Sequence, residues 1–286
     1  MPGSTPEAQS EWAPCPSMHP LRSTPSWKSA DSLTSQTGGT AVIDTDWLTT
    51  RPIAHRGLHD FRAGIPENSL SAFAQAADAG YPIELDVQVS VDGKAVVFHD
   101  ESLDRMTGAR GEISRVPAVE LAGLRLGESD QSIPLLREVL DLIDGRVPLI
   151  IELKNPRRRT GRVETAACKD LAGYGGPCAV SSFNRRTVAW CARNLPHLPR
   201  GQNVMKFRRG WFAAGQWQSS VFREFQTRHS TRLQFIGCHI GALPSPGAQR
   251  FRERGIPLIV FTVRTPDRLA LANAHADNIF FEGFIP

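Results

Sequence analysis

The chain has 286 residues, of which 41% are hydrophobic and 22% are charged, as in ordinary globular proteins. This composition excludes a collagen, a coiled coil and a wholly disordered chain. The sequence contains no run of about 18 apolar residues, the length that a membrane-spanning helix needs. The formal net charge is only +4, but the charges are distributed unevenly along the chain.

The charge changes sign between two long parts of the sequence. Residues 41–184 carry 16 basic and 21 acidic side chains, whereas residues 185–264 carry 14 basic and two acidic ones. This asymmetry suggests a cation site in the first part and an anionic partner for the second. A surface with scattered arginines would give the same counts. Since neither a signal peptide nor a transmembrane segment is recognisable, we expect a cytoplasmic protein.

The beginning of the chain differs in composition from the rest. Ser, Thr, Pro and Gly account for 22 of the first 40 residues. Such a segment buries too little apolar surface to offset its conformational entropy. We therefore expect a disordered tail over residues 1–45 and one barrel-sized domain over residues 50–286.

Beyond the tail, short apolar runs alternate with segments of helical periodicity. The predicted strands are Ile53–Ala54, Ile83–Val91, Ala95–Phe98, Leu149–Leu153, Cys178–Ser181, Phe235–Ile240, Leu258–Val263 and Asn278–Phe281. The predicted helices are Asn68–Ala79, Leu135–Ile143, Val163–Ala172, Arg185–Asn194, Ala248–Gly255 and Pro266–Ala274. The Asp92–Gly93 pair predicts a hairpin turn. Residues 101–133 read as irregular, and residues 200–234 show no clear strand.

The repeated order of strand and helix indicates parallel βα units. Both a doubly wound sheet and a (β/α)8 barrel fit this order, and the length matches the roughly 250 residues of a barrel. No GxGxxG motif follows the first strand, which disfavours a dinucleotide-binding sheet.

Polar residues cluster at the carboxyl ends of the predicted strands. In a βα barrel these ends form the mouth where active sites are built. The residues are His55 and Arg56, Glu84 and Asp86, His99 and Asp100, and Glu152 and Lys154. They are therefore expected to converge.

Two of these acids, Glu84 and Asp86, are two positions apart on one strand, so their side chains share a face. Two buried carboxylates at this separation repel each other, and a divalent cation would relieve the repulsion. Oxygen ligands favour Mg²⁺ or Ca²⁺ over zinc, and Glu152 can complete the set. In the alternative, the acids pair with Arg56 and Lys154 in a buried network.

The histidines His55 and His99 are candidates for proton transfer, because imidazole titrates near neutrality. In the alternative, each is a rim histidine bonded to the backbone. Glu67 opens a helix, where its charge is favourable by the helix dipole alone. Five other histidines do not combine a strand end with neighbouring acids and are interpreted as structural or surface residues: His59, His197, His229, His239 and His275.

Five motifs, in order and with matching spacing, resemble the glycerophosphodiester phosphodiesterase family. They are Ala54-His55-Arg56-Gly57, Pro66-Glu67-Asn68-Ser69, Glu84-Leu85-Asp86-Val87, Val97-Phe98-His99-Asp100 and Ile151-Glu152-Leu153-Lys154. The resemblance is clear over residues 52–154 and looser towards Val260–Val263 and Ala276–Asn278.

This resemblance implies a TIM barrel with a small insertion, about residues 101–133, after the second barrel strand region. It implies hydrolysis of glycerophosphodiesters to glycerol 3-phosphate and an alcohol, with one divalent cation, Mg²⁺ or Ca²⁺. The implied roles are acid and base for His55 and His99, metal ligands for Glu84, Asp86 and Glu152, and substrate binding for Arg56, Glu67 and Lys154.

The late part of the chain departs from the family pattern. Phe261-Thr262-Val263-Arg264 stands where the family usually has Trp-Thr-Val-Asn, and Glu282 follows the last strand where the family has Thr-Asp-x-Pro. If Arg264 points inward, it adds positive charge near the substrate. Residues 200–234 interleave aromatic residues with arginines, which is typical either of a segment at a lipid surface or of a barrel helix.

Two other functions compete with the leading one. The first is a lysophospholipase D-like enzyme that acts on membrane lysolipids, and the second is a catalytically silent barrel that binds anionic lipid. The expected partner is a small-molecule or lipid-derived phosphodiester, with peripheral contact to an anionic membrane as an option. No nucleic acid is expected, since no recognised module is present.

Overall fold

A computed structural model describes residues 43–156, 159–205 and 233–286. The predictions for residues 1–42, and for the aromatic and basic segment within residues 206–232, lie outside these ranges. Much of the basic stretch of the sequence therefore lies outside the described structure.

Eight parallel strands close into a barrel, which confirms the predicted TIM fold. With the antiparallel strand β3, the described ranges contain nine strands: β1 Ile53–His55, β2 Ile83–Val89, β3 Ala95–Val97, β4 Leu149–Leu153, β5 Cys178–Ser182, β6 Arg200–Val204, β7 Phe235–His239, β8 Leu258–Val263 and β9 Asn278–Phe281. β3 pairs with β2 in an antiparallel hairpin and stands outside the parallel set. The barrel closes because β1 pairs in parallel with both β2 and β9.

Helices follow most of the parallel strands in the described part of the chain. They are α1 Trp47–Thr50, α2 Leu70–Asp78, α3 Ala118–Leu121, α4 Leu136–Ile143, α5 Arg162–Leu171, α6 Arg185–Asn194, α7 Pro246–Arg252 and α8 Pro266–His275. Two starts illustrate why the helices begin where they do. Ser69 accepts a hydrogen bond from the Ala72 amide at α2, and Thr265 accepts one from Arg268 at α8, so each hydroxyl satisfies an otherwise unpaired N–H.

The apolar core has two layers because side chains alternate across each strand. Leu149 and Ile151 of β4 face the helices, whereas Ile150 faces the barrel interior, where it packs with Phe235 and Phe280. This alternation fills the lower interior with apolar side chains. The upper interior, at the carboxyl ends of the strands, is left for polar ones.

The predicted insertion forms a separate small unit beside the barrel mouth. Its own apolar cluster includes Phe98, Leu103, Met106, Leu121 and Leu126. The segment contains short bridges between residues 102 and 112 and between 125 and 132. The segment looks irregular in sequence because an apolar cluster, turns and isolated bridges hold it together, and its helices are short.

Strand β6 lies where the sequence showed no clear strand. Its residues are polar apart from a glycine and one valine, yet the first four are buried. Gln202 Nε2 donates to the carbonyls of Ser182 and Phe183, so its buried amide N–H groups have partners at the end of β5. Tertiary hydrogen bonds here override the low strand propensity of the segment.

Across the described ranges, every helix is too short or too polar to cross a bilayer.

Candidate active site

Three carboxylates converge inside the mouth of the barrel. Glu84 and Asp86 come from β2, and Glu152 comes from β4, where it lies in register with Asp86. All three are buried, and one oxygen of each lies within 4.8 Å of the others. The convergence of this trio follows the prediction from strand-end positions.

Each carboxylate of the trio is oriented by one N–H donor. The contacts are Arg56 N to Glu84 Oε2 at 3.2 Å, Asn68 Nδ2 to Asp86 Oδ2 at 2.9 Å, and Asn203 Nδ2 to Glu152 Oε2 at 3.0 Å. Hydrogen bonds of this kind fix the rotamer of a ligating group and raise metal affinity. The trio is therefore a pre-oriented set of oxygen donors.

The alternative of a buried ion-pair network is partly realised in the same place. Lys154 Nζ lies 2.9 Å from Asp86 Oδ1 and 2.7 Å from Glu152 Oε1, and Arg56 Nε lies 3.1 Å from Asp86 Oδ2. Although burial alone would raise it, the pKa of Asp86 is held well below its usual range by Lys154 and Arg56. Asp86 is therefore ionised and compensated.

The other two carboxylates carry charge that these cations do not fully balance. Burial, and then the charges of Asp86 and Glu152, raise the pKa of Glu84 well above its usual value. Burial likewise raises the pKa of Glu152 in spite of Lys154. A buried, oxygen-only donor set with excess negative charge fits a hard divalent cation such as Mg²⁺ or Ca²⁺.

His55, at the end of β1, is held by a carboxylate that follows the neighbouring strand β9. Its Nδ1 lies 2.5 Å from Glu282 Oε2. Because an ionised carboxylate only accepts hydrogen bonds, Nδ1 carries the proton and Nε2 faces Glu84 Oε2, 3.9 Å away. Burial lowers the pKa of His55 despite this hydrogen bond.

Glu282 also contacts Arg264 and His59. Arg264 Nε donates to its other oxygen, Oε1, and His59 Nε2 lies 3.7 Å from Oε2. An inward Arg264 was expected to add positive charge near the substrate; instead its side chain is 59% exposed and its charge is paired with Glu282. His59, interpreted as structural or surface, joins the same group.

His99 lies two residues after β3, which pairs with β2. Its Nδ1 lies 2.5 Å from Asp100 Oδ1, so the same reasoning assigns the proton to Nδ1. The ring lines an open cavity of about 510 Å³ together with Glu152, Lys154 and Phe183. His99 therefore presents Nε2 to a space large enough for part of a small ligand.

Glu67 stands apart from the carboxylate trio. It accepts a hydrogen bond from Arg56 Nη1 at 2.8 Å and is also paired with Arg105 of the insertion. These guanidinium contacts outweigh the effect of burial and lower the pKa of Glu67. The structure thus places Glu67 behind Arg56, where it orients that side chain.

Four contributors to the site escaped the sequence reasoning as functional residues: Asn68, Arg105, Asn203 and Glu282. The sequence did carry a signal for two of them: Asn68 belongs to the motif Pro66-Glu67-Asn68-Ser69, and Glu282 stands where the chain departs from the family pattern. Arg105 lies in an irregular segment, and Asn203 lies on the strand that was not recognised. Neither position carried a pattern that could have revealed it.

The fold and the site together define a TIM-barrel protein whose mouth holds a carboxylate site suited to a divalent cation. Residues 55–281 match the glycerophosphoryl diester phosphodiesterase family. The chain belongs to this family.

Individual relatives agree with the assignment. The glycerophosphodiester phosphodiesterases of Caldanaerobacter subterraneus and Bacillus altitudinis are 35% and 34% identical, over 54% and 52% of this chain. The match spans 66% and 64% of those proteins. A phosphodiesterase structure from Oleispira antarctica, in complex with the product sn-glycerol-3-phosphate, is 26% identical. It has a TM-score of 0.69 and covers 82% of this chain and 93% of its own.

Proposed function

We propose that the barrel domain over residues 50–286 is a metal-dependent glycerophosphodiester phosphodiesterase. It would convert a glycerophosphodiester and water to glycerol 3-phosphate and an alcohol. The observation that carries the proposal is the buried trio of Glu84, Asp86 and Glu152 between two histidines, each with its Nδ1 held by a carboxylate. The sn-glycerol-3-phosphate bound by the Oleispira relative supports the product class.

Glu84, Asp86 and Glu152 would hold one divalent cation, Mg²⁺ or Ca²⁺. When bound, such a cation neutralises phosphoryl oxygens and lowers the pKa of a coordinated hydroxyl or water. The three N–H donors already described would hold the carboxylates ready for the ion.

Arg56 and Lys154 would bind the non-bridging oxygens of the phosphodiester. Arg56 has two nitrogens engaged by carboxylates, Nη1 with Glu67 and Nε with Asp86, so its guanidinium plane is fixed. A fixed cation costs no reorganisation as negative charge develops on phosphorus-bound oxygens. Lys154 lies beside the cavity lined by His99, where it can reach the same group.

The two histidines would move the protons. His55 Nε2 accepts the proton of the attacking hydroxyl, either water or a neighbouring hydroxyl of the glycerol. As the bond from phosphorus to the leaving oxygen breaks, protonated His99 gives its Nε2 proton to that oxygen. His99 suits the second role because it borders the open cavity into which the alcohol can leave.

The decisive experiment is release of glycerol 3-phosphate from glycerophosphocholine by the purified protein. We expect no turnover in EDTA and restored turnover after addition of Mg²⁺ or Ca²⁺. Absence of turnover with either ion, and with glycerophosphoethanolamine as a second substrate, would reject the proposal.

The roles of the histidines are tested by His55→Ala and His99→Ala. Removal of a general acid or base costs about 10²–10⁴-fold in kcat, and we expect losses in this range at saturating metal. His275→Ala on α8, remote from the mouth, is the matched control. Near-normal kcat in both site variants would overturn the two-histidine scheme.

Lysolipids are the second substrate class to assay. Phe183 and Met205 follow strands β5 and β6 and are 40% and 52% exposed, so the mouth presents apolar side chains. Turnover of lysophosphatidylcholine above that of glycerophosphocholine would favour the lysophospholipase D-like activity. We also propose a cytoplasmic location, which fractionation of the native host would test.

A further inference from the structure

One arginine of the insertion contacts two carboxylates that each hold a proposed functional group. Arg105 pairs with Asp100, the partner of His99, and with Glu67, the partner of Arg56. The insertion has its own apolar cluster, so these contacts join it to the barrel mouth.

The contacts with Asp100 use two nitrogens of the guanidinium. Arg105 Nε lies 2.5 Å from Asp100 Oδ2, and Nη2 lies 3.2 Å from Oδ1. Oδ1 is the oxygen that accepts the proton of His99 Nδ1. The Asp100 backbone is held as well, because Gln88 donates to its carbonyl. Arg105 therefore sets the rotation of the carboxylate that orients His99.

The contacts with Glu67 are also made by two nitrogens. Arg105 Nη2 lies 2.6 Å from Glu67 Oε1, and Nη1 lies 3.3 Å from Oε2. The oxygen nearer to Arg105 is the one that accepts from Arg56 Nη1. A single side chain thus constrains both the proton-transfer side and the phosphate-binding side of the mouth.

The insertion core fixes the backbone that carries Arg105. Leu103 and Met106 on either side are 1% and 3% exposed. The Thr107 amide and hydroxyl both donate to the Leu103 carbonyl, at 3.0 and 2.9 Å. Although the Arg105 side chain is about half exposed, its base is anchored among buried residues. The anchor allows the guanidinium to hold its two partners in one geometry.

We infer that Arg105 is a positioning residue of the reaction, which holds His99 through Asp100 and Arg56 through Glu67. The inference rests on the proposed function for its kinetic consequence. The rigid fork of a guanidinium can engage two carboxylates with paired hydrogen bonds, whereas an ammonium is a point charge. Lysine at this position would keep the charge and lose the geometry.

The test compares Arg105→Met and Arg105→Lys with a matched control, Arg115→Met. Arg115 is in the same insertion and pairs with Glu112 at the surface, where its side chain is 77% exposed. Because misplacement of reacting groups can cost on the order of 10²-fold in rate, we expect both Arg105 variants to lose about that much kcat. The control should retain wild-type kcat and KM. Calcium affinity measured by calorimetry should be unchanged, since Arg105 does not touch the carboxylate trio.

A second readout is independent of turnover. In ¹⁵N spectra of the imidazole rings, neutral His99 of the wild type should carry its proton on Nδ1, and the Arg105 variants should show a mixture of tautomers. Wild-type protein without phosphodiesterase activity would refute the proposed function and leave this spectroscopic test of positioning intact. Wild-type His99 spectra in both variants would overturn the inference, as would kcat within twofold of wild type in both.

Discussion

At the scale of single residues, His55 and His99 are both held as the Nδ1–H tautomer, each by a different carboxylate. His99 is held by its sequence neighbour Asp100, whereas His55 is held by Glu282, which is distant in the chain but follows the neighbouring strand β9. In each pair the carboxylate fixes the proton on Nδ1. Nε2, the nitrogen proposed to react, is consequently the one left free of a carboxylate hydrogen bond in each ring.

The His55–Glu282 pair leads to a prediction for Glu282→Gln. A glutamine can both donate and accept, so it no longer enforces the Nδ1 tautomer and removes the charge beside the ring. We expect kcat to fall on the order of 10²-fold, measured at saturating metal with KM determined separately. Arg264→Gln is the control, since a surface ion pair contributes about 1 kcal/mol or less. Equal kcat in the Glu282 and Arg264 variants would contradict the argument.

Asn203 leads to a prediction about metal affinity instead of rate. Asn203→Leu removes the donor to Glu152 Oε2 and leaves Lys154 as the contact of the other oxygen, so Glu152 is held less firmly beside Glu84 and Asp86. Loss of such an orienting contact typically weakens metal binding about 10–100-fold, which calorimetry with Ca²⁺ would measure. Asn194→Leu on α6, where the side chain donates only to the Trp190 carbonyl among the described contacts, should bind Ca²⁺ as the wild type does.

At the scale of elements, a strand could be predicted from the sequence when its buried residues are apolar, and was missed when they are polar and hydrogen-bonded to other strands. Strands such as β4 and β8 were predicted with correct bounds, because their apolar runs are buried on both faces. β6 was missed, because Gln202 and Asn203 are buried by hydrogen bonds to β4 and β5. The periodicity of apolar residues carries no information about hydrogen-bond partners that come together only when the barrel closes.

The same distinction applies to the candidate site. The trio, His55 and His99 were predicted because the strand ends of a barrel converge, and this follows from local pattern alone. Arg105 and Asn203 act through contacts with distant segments, so their roles appear only in three dimensions. Glu282 was noticed as a departure, but its pairing with His55 depends on the β1–β9 closure.

Gly201 on β6 leads to a prediction about stability. A Cβ at this position would lie 2.2 Å from Phe235 Cε2 inside the barrel, and Phe235 is fully buried. Overpacking of this kind costs about 1–3 kcal/mol, so Gly201→Ala should lower the free energy of unfolding by that amount in urea. Gly173→Ala, where no atom lies within 4 Å of the added carbon, should stay close to wild type.

At the scale of the whole molecule, the buried carboxylate trio that would bind a cation also lowers the stability of the metal-free fold. The pKa of Glu84 is raised by burial and by its acidic neighbours. A raised pKa in the folded state means that stability is lost as pH rises through it, because burial beside other carboxylates disfavours the ionised form of Glu84. A bound cation would reverse this effect.

Glu84→Gln is therefore predicted to have opposite effects with and without metal. Without metal the variant should be more stable than wild type, by about 1–4 kcal/mol if the relief resembles that at other buried charges. At Ca²⁺ near 100 times Kd, wild type should gain about 2.7 kcal/mol and the variant much less. Thermal unfolding in EDTA and in Ca²⁺ measures both, with exposed Glu120→Gln as control. A variant less stable than wild type in EDTA would refute the account.

The seam between β1 and β9 also orders events in time. His55 and Glu282 are 227 residues apart in the chain. At about 5–20 residues per second, a ribosome needs about 10–45 s to add the second partner after the first. Throughout that interval the barrel cannot close and His55 has no carboxylate to orient it. Under the proposed function, hydrolytic activity is therefore expected only late in translation, once Glu282 has been added and can orient His55.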